Sequence, residues 1–180
     1  MKLNQTNIER KLTDYLISVN SIELPASQND ILISIDSLKR KRLGSGPYPD
    51  VSLFEASNRI FSDIVILFGV YRLLTNPVVG NVRLPFTEYE VALGVKGGND
   101  LRAISGNRRL VGEAFNVAPS FFQAKKSSTI KKLQLCEKAD YRLIIFNADA
   151  VISPDDYLER SEPPMLYLPV DIWVDRRRFV

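Results

Sequence analysis

The stretch EYEVALGVKGGNDLRAISGNRRLVGEAFNV, residues 88–117, decides the fold class of this chain. Tyr89, Val91, Leu93 and Val95 alternate with Glu88, Glu90, Ala92 and Gly94, the two-residue period of a strand with one face on a core. Lys96, Gly97, Gly98 and Asn99 then read as a hairpin turn, because glycine and asparagine accept the positive φ that tight turns need. A second strand is expected over 100–105, Gly106 and Asn107 supply another turn, and a third strand is expected over 109–117. Two short turns in succession make these strands an antiparallel meander.

Working outward, Pro119 and Ser120 open a helix expected to reach about residue 138, its buried side sketched by Phe122, Ile130, Leu133 and Cys136. The nearly continuous apolar run 141–146 reads as a strand buried on both faces. On the N-terminal side, Ser52 and Glu55 form a capping-box pattern before a long helix with the stripe Leu53, Ile60, Ile64, Leu67, Phe68 and Tyr71. Asn76, Pro77 and Gly80 end that helix, and 44–49, with two glycines and two prolines, reads as a hinge or loop before it. Apolar residues at helical spacing predict helices over 2–20 and 30–42. The class is therefore α/β. The layout is an N-terminal helical extension (1–46), a core (47–152) and a C-terminal extension (153–180). That last piece is read either as part of the same domain or as a dimer contact, and its structure is not assigned.

Composition narrows the chemistry. The chain has 180 residues, no histidine and one cysteine. Without imidazole there is no Ser-His-Asp or Cys-His catalysis and no His-bound zinc, and Cys136 alone makes neither an internal disulfide nor a thiolate cage. Hydrolysis in such a chain must run on carboxylates, lysines, hydroxyls and hard cations. The net charge is +3, but basic residues gather at 39–42, at Arg108 and Arg109, through Lys125, Lys126, Lys131 and Lys132, and at 176–178. No apolar run is long enough for a membrane helix, and the N-terminus lacks a signal-peptide pattern, so a cytoplasmic protein with no membrane partner is expected.

The informative residue is Glu113, a carboxylate inside the apolar run from Leu110 to Val117. Burying it unpaired is costly, so it needs a cation or a salt bridge, for instance to Arg102 or Arg109. Asp100, at the start of the preceding strand of the meander, can lie beside it and share one cation with it, although Asn-Asp after Gly-Gly is also ordinary turn chemistry. Lys126 shares the helical stripe of Phe122 and Ile130 and so aims at the sheet. Lys125 is its neighbour and alternative. Arg59 falls on the Glu55 side of the long helix, where it can meet a phosphate, as can Arg108 and Arg109 at the second turn.

Helix, strand, strand, strand, helix, strand, with Asp100 opening the second strand and Glu113 within the third, resembles the PD-(D/E)xK superfamily of restriction-endonuclease-like nucleases over roughly residues 52–147. The resemblance implies a restriction-endonuclease-like αβββαβ core, Asp100 and Glu113 as ligands of Mg2+ (or Mn2+), a lysine assisting the attacking water, and an acid on the first helix, Glu55. It further implies cleavage of DNA phosphodiester bonds, with a homodimer as the simple way to cut two strands. The chain departs from the pattern twice. Phe115 stands two residues after Glu113, where the family has lysine, and Asn99 precedes Asp100 in place of proline. Lys125 or Lys126 would then be a relocated lysine. The alternative is a noncatalytic module on the same fold that binds nucleic acid or protein.

Overall fold

A computed structural model describes residues 1–24, 30–94 and 97–179. Its axis is helix α3 (Leu53–Thr75). Ser52, with extended backbone, accepts a hydrogen bond from the Glu55 amide and starts the helix. From Asp63 to Val70 every residue is buried. A helix apolar on all sides is one surrounded by protein, which explains why a single stripe underestimates its buried face. Helix α1 (Ile8–Asn20) packs on it through Ile8, Leu12 and Leu16, and the sheet covers the opposite side.

The main sheet has six strands in the order β1 (Lys2–Asn4), β4 (Glu88–Val91), β5 (Leu101–Ser105), β6 (Arg108–Phe115), β7 (Tyr141–Asn147) and β8 (Met165–Val170). The meander is β4 (Glu88–Val91), β5 (Leu101–Ser105) and β6 (Arg108–Phe115), antiparallel throughout. Helix α4 (Pro119–Gln134) then crosses to β7 (Tyr141–Asn147), parallel to β6. Apart from a minor hairpin that follows α3, the elements come in the order helix, three strands, helix, strand. The chain is mixed α/β, with a central mixed sheet flanked by helices. Strand β4 ends at Val91, short of the expected strand end; Val95, the last residue expected in that strand, and Lys96, the first of the expected turn, lie outside the described residues. Helix α4 also ends four residues before the expected 138.

Three segments read differently in the structure. Residues 2–4, placed in a helix by periodicity, form the edge strand β1 (Lys2–Asn4) against β4, with the terminal ammonium of Met1 donating to the Val91 carbonyl. Three residues are too few for a two-residue period to register. The segment 44–49 is pinned, because Gly44 N donates to Pro49 O, Leu43 N to Val51 O, and Tyr48 reaches Asp63. The tail holds α5 (Asp155–Glu159), then β8 (Met165–Val170) parallel to β7, then α6 (Ile172–Arg176). Pro169 is tolerated in β8 because this is an edge strand.

Helix α2 (Ile31–Arg40) is capped by Asp30 but has no buried residue. A minor hairpin pairs β2 (Val78–Val79) with β3 (Val82–Arg83). The main core lies on the α3 face of the sheet. A second cluster of Phe115, Phe122, Leu133, Ile144, Phe146 and Ala150 lies under α4.

Candidate active site

Strand pairing sets the centre of the site. In the β5–β6 ladder Leu101 faces Gly112 and Arg102 faces Val111, so the next step of the register brings Asp100 opposite Glu113. The two are tied further, since the Ala114 amide donates to Asp100 Oδ2 at 2.9 Å. Glu113 points to the α4 face, the side also taken by Phe115 two residues on. There Lys132 Nζ donates to Glu113 Oε2 at 2.7 Å, while Oε1 is buried without a hydrogen-bond partner among the described residues. The side chain of Glu113 is only 9% exposed. Burial raises the pKa of Glu113; Lys132 opposes the rise, the neighbouring Asp100 charge adds to it, and the Asp100 backbone amide opposes it. Burial also raises that of Asp100, against the Ala114 hydrogen bond, Lys132 and Lys125.

A third acid approaches from α3. Asp63 is 2% exposed and accepts from Tyr15 OH at 2.7 Å, from Tyr48 OH, and from the Gly94 amide at 3.2 Å. Burial raises its pKa too, the three donors lower it, and the Asp100 charge raises it, which places the two acids within electrostatic reach. Asp63 therefore joins α1, the 44–49 segment and the β4–β5 connection beside the carboxylate pair. The sequence signal for it was present: a lone acid inside the apolar run from Ile60 to Val70.

The remaining expectations divide. Asp100 and Glu113 come together, and Lys125 lies close enough to act on Asp100, with its ammonium 5.8 Å from the Phe115 ring centre. Lys126 does not join them; it sits over Tyr157 at 5.1 Å and Phe122 at 5.8 Å. A helix steps about 100° per residue, so neighbouring lysines part company, while Lys125 and Lys132, seven apart, share a face. Lys132 is the lysine that sequence reading passed over. Glu55 is also outside the pair, exposed and ion-paired with Arg59, whose guanidinium lies 5.4 Å from the Tyr48 ring. Arg108 pairs with Asp140 at 3.1 Å, and Arg109 lines a groove beside Asn99. Gln123 donates to Tyr157 OH at 3.3 Å, away from the carboxylates.

No family model, curated protein or solved structure matches this chain. The site is therefore read from its own geometry.

Two hard oxygen donors suit a small divalent cation that takes the rest of its shell from water and substrate phosphate. Among the described residues no group of three or more acidic, histidine or cysteine side chains converges in metal-binding geometry. A cation here would depend on Asp100, on Glu113 through the unpartnered Oε1, and on ligands from outside the chain. Four buried side-chain oxygens among the described residues lack a hydrogen bond, on Ser45, Tyr89, Asp175 and Glu113, and Glu113 lies opposite Asp100 in the sheet.

Proposed function

We propose that this chain is a Mg2+-dependent endonuclease that hydrolyses DNA phosphodiester bonds at Asp100 and Glu113, on a restriction-endonuclease-like core. The observation that carries the reading is Glu113: a buried carboxylate with one oxygen on Lys132 and the other unpartnered, opposite a second acid. Leaving a buried acceptor unsatisfied costs roughly 1–3 kcal/mol, more for a charged group, so the arrangement favours a ligand at that oxygen.

When bound, Mg2+ would polarise a nonbridging phosphate oxygen and lower the pKa of a water. The chain's own groups do the rest. Asp100 and Glu113 hold the cation, and the Ala114 amide fixes the Asp100 carboxylate so that it need not reorganise. The Lys132 ammonium favours the ionised form of Glu113 against burial and stands ready to neutralise charge that develops on the phosphate. Lys125, on the same face of α4, offers a second positive charge toward Asp100. Asp63, already accepting three hydrogen bonds, acts as an electrostatic neighbour that supports cation binding. Cleavage of both strands of a duplex is assigned to a homodimer.

The test is plasmid cleavage with Mg2+ and with Mn2+. The parent should nick or linearise the plasmid, and Glu113→Gln and Asp100→Asn should each lower the rate at least about a hundredfold, the scale of losing a main electrostatic group. Equal rates for parent and both variants would reject the site.

One observation favours a second reading. The Lys132 ammonium already occupies Glu113 Oε2, as a built-in counterion would in a module that had lost its cation. That reading predicts salt-sensitive DNA binding without cleavage under any divalent ion, and no Mg2+-dependent rise in melting temperature.

A further inference from the structure

Helix α4 leaves part of its own sheet face bare. It ends at Gln134, and Arg142 of β7 donates to Leu133 O in its last turn and to Cys136 O and Ala139 O beyond it, at 2.8 to 3.1 Å. The chain from Leu135 to Ala139 thereby becomes a fixed wall standing off β5 and β6. Between wall and strands runs a groove of about 460 Å³, beginning at Asn99, the residue before Asp100.

The alternation of the two strands dictates what the groove presents. On the face that carries Glu113, β6 also shows Val111 and Arg109, and opposite them β5 shows Arg102 and Ile104. One pair of positions beyond the carboxylates is Arg102 with Val111; the ladder ends near Ile104 with Arg109. At two residues per repeat these steps lie about 7 Å and about 14 Å along the strand from the acidic pair. Ile104 is 71% exposed and Leu135 82% exposed, so large aliphatic side chains on both sides of the groove meet solvent. Arg102 and Arg109 make no side-chain ion pair among the described residues. Lys138 adds a third positive charge, and Glu137 is the only acid among the lining residues.

An aliphatic floor with arginines on its rim, opening directly off a phosphodiester-cleaving centre, has one chemically matched occupant. We propose that the groove seats an unpaired nucleotide flanking the scissile phosphate, its base against Ile104, Val111 and Leu135 and its phosphates on Arg102 and Arg109. This rests on the hydrolase reading for the direction of the strand. Charge complementarity favours a polyanion over a protein partner, and guanidinium planes stack on bases as well as holding phosphates. An unpaired nucleotide can lay the face of its base on these aliphatic side chains, whereas a base pair presents only its edges. The chain should therefore prefer single-stranded DNA, or a frayed duplex end, over a closed duplex.

The experiment is fluorescence anisotropy in EDTA, where no cleavage occurs, with a labelled oligothymidylate and a hairpin duplex of equal charge. The parent should bind the single strand at least about fivefold tighter than the hairpin. Arg102→Glu with Arg109→Glu should weaken single-strand binding by tenfold or more and flatten its salt dependence by about two phosphate contacts. Ile104→Glu, at an exposed position, should also weaken it while leaving the melting temperature unchanged. Unaltered affinity in both variants, or tighter binding of the hairpin by the parent, overturns the groove even if the plasmid is cut. Groove-dependent binding without cleavage under Mg2+ or Mn2+ upholds the groove and removes the hydrolase.

Discussion

Asp100 sets function against stability. Its carboxylate lies opposite Glu113 and within reach of Asp63, and burial disfavours its charge. Asp100→Asn keeps a carbonyl to accept from Ala114 and removes one of three crowded charges. It should raise cation-free stability at neutral pH by about 1 kcal/mol, read by urea denaturation, while abolishing cleavage; a loss of stability would contradict the crowding. Lys132→Met should cost far more cleavage than Lys126→Met, because only Lys132 touches Glu113 and Lys126 spends its charge on Tyr157 and Phe122. Equal losses in a plasmid assay would refute that division. Glu113 was legible in the sequence because a charge in an apolar strand demands compensation. Lys132 was not, since one lysine among several on an amphipathic helix is told apart only by knowing which face meets the strand.

At the scale of elements, α3 packs closely on β7. A Cβ added to Gly69 would stand 2.7 Å from two Ile145 side-chain carbons, so the helix sits on the strand only because that position has no side chain. Gly69→Ala should destabilise by about 1–3 kcal/mol through overpacking despite its better helix propensity. A melting temperature equal to the parent's would show that Ile145 gives way. The strands of the meander were legible because alternation and turn residues agree, and α3 was legible from its cap. The Asp63 cluster was hidden, because Tyr15 and Tyr48 lie 48 and 15 residues away in the chain and only packing brings them together. Strand β8 was equally hidden: an apolar run of six residues has no period that separates a sheet edge from an interface.

For the molecule as a whole, acids with raised pKa, the three at the site and Asp175, make stability depend on pH. The folded state holds protons on Asp63, Asp100 and Glu113 more tightly than the unfolded chain, whose values stay near 3.8 for aspartate and 4.5 for glutamate. Their contribution is complete below those values and is lost as pH rises through the raised folded ones. In EDTA, melting temperature from about pH 4 to pH 7 should fall more for the parent than for Asp100→Asn, and Mg2+ should shrink the difference by favouring the ionised forms. Parallel pH profiles would contradict the linkage.

All of this converges on one location, and manganese reports it directly through its anomalous scattering in a crystal. A peak bonded to both Asp100 and Glu113, with Glu113 Oε1 among its ligands, is the predicted result. At saturating manganese, a map with no peak between the two carboxylates, and with the Lys132 ammonium still the only partner of Glu113, would contradict the account.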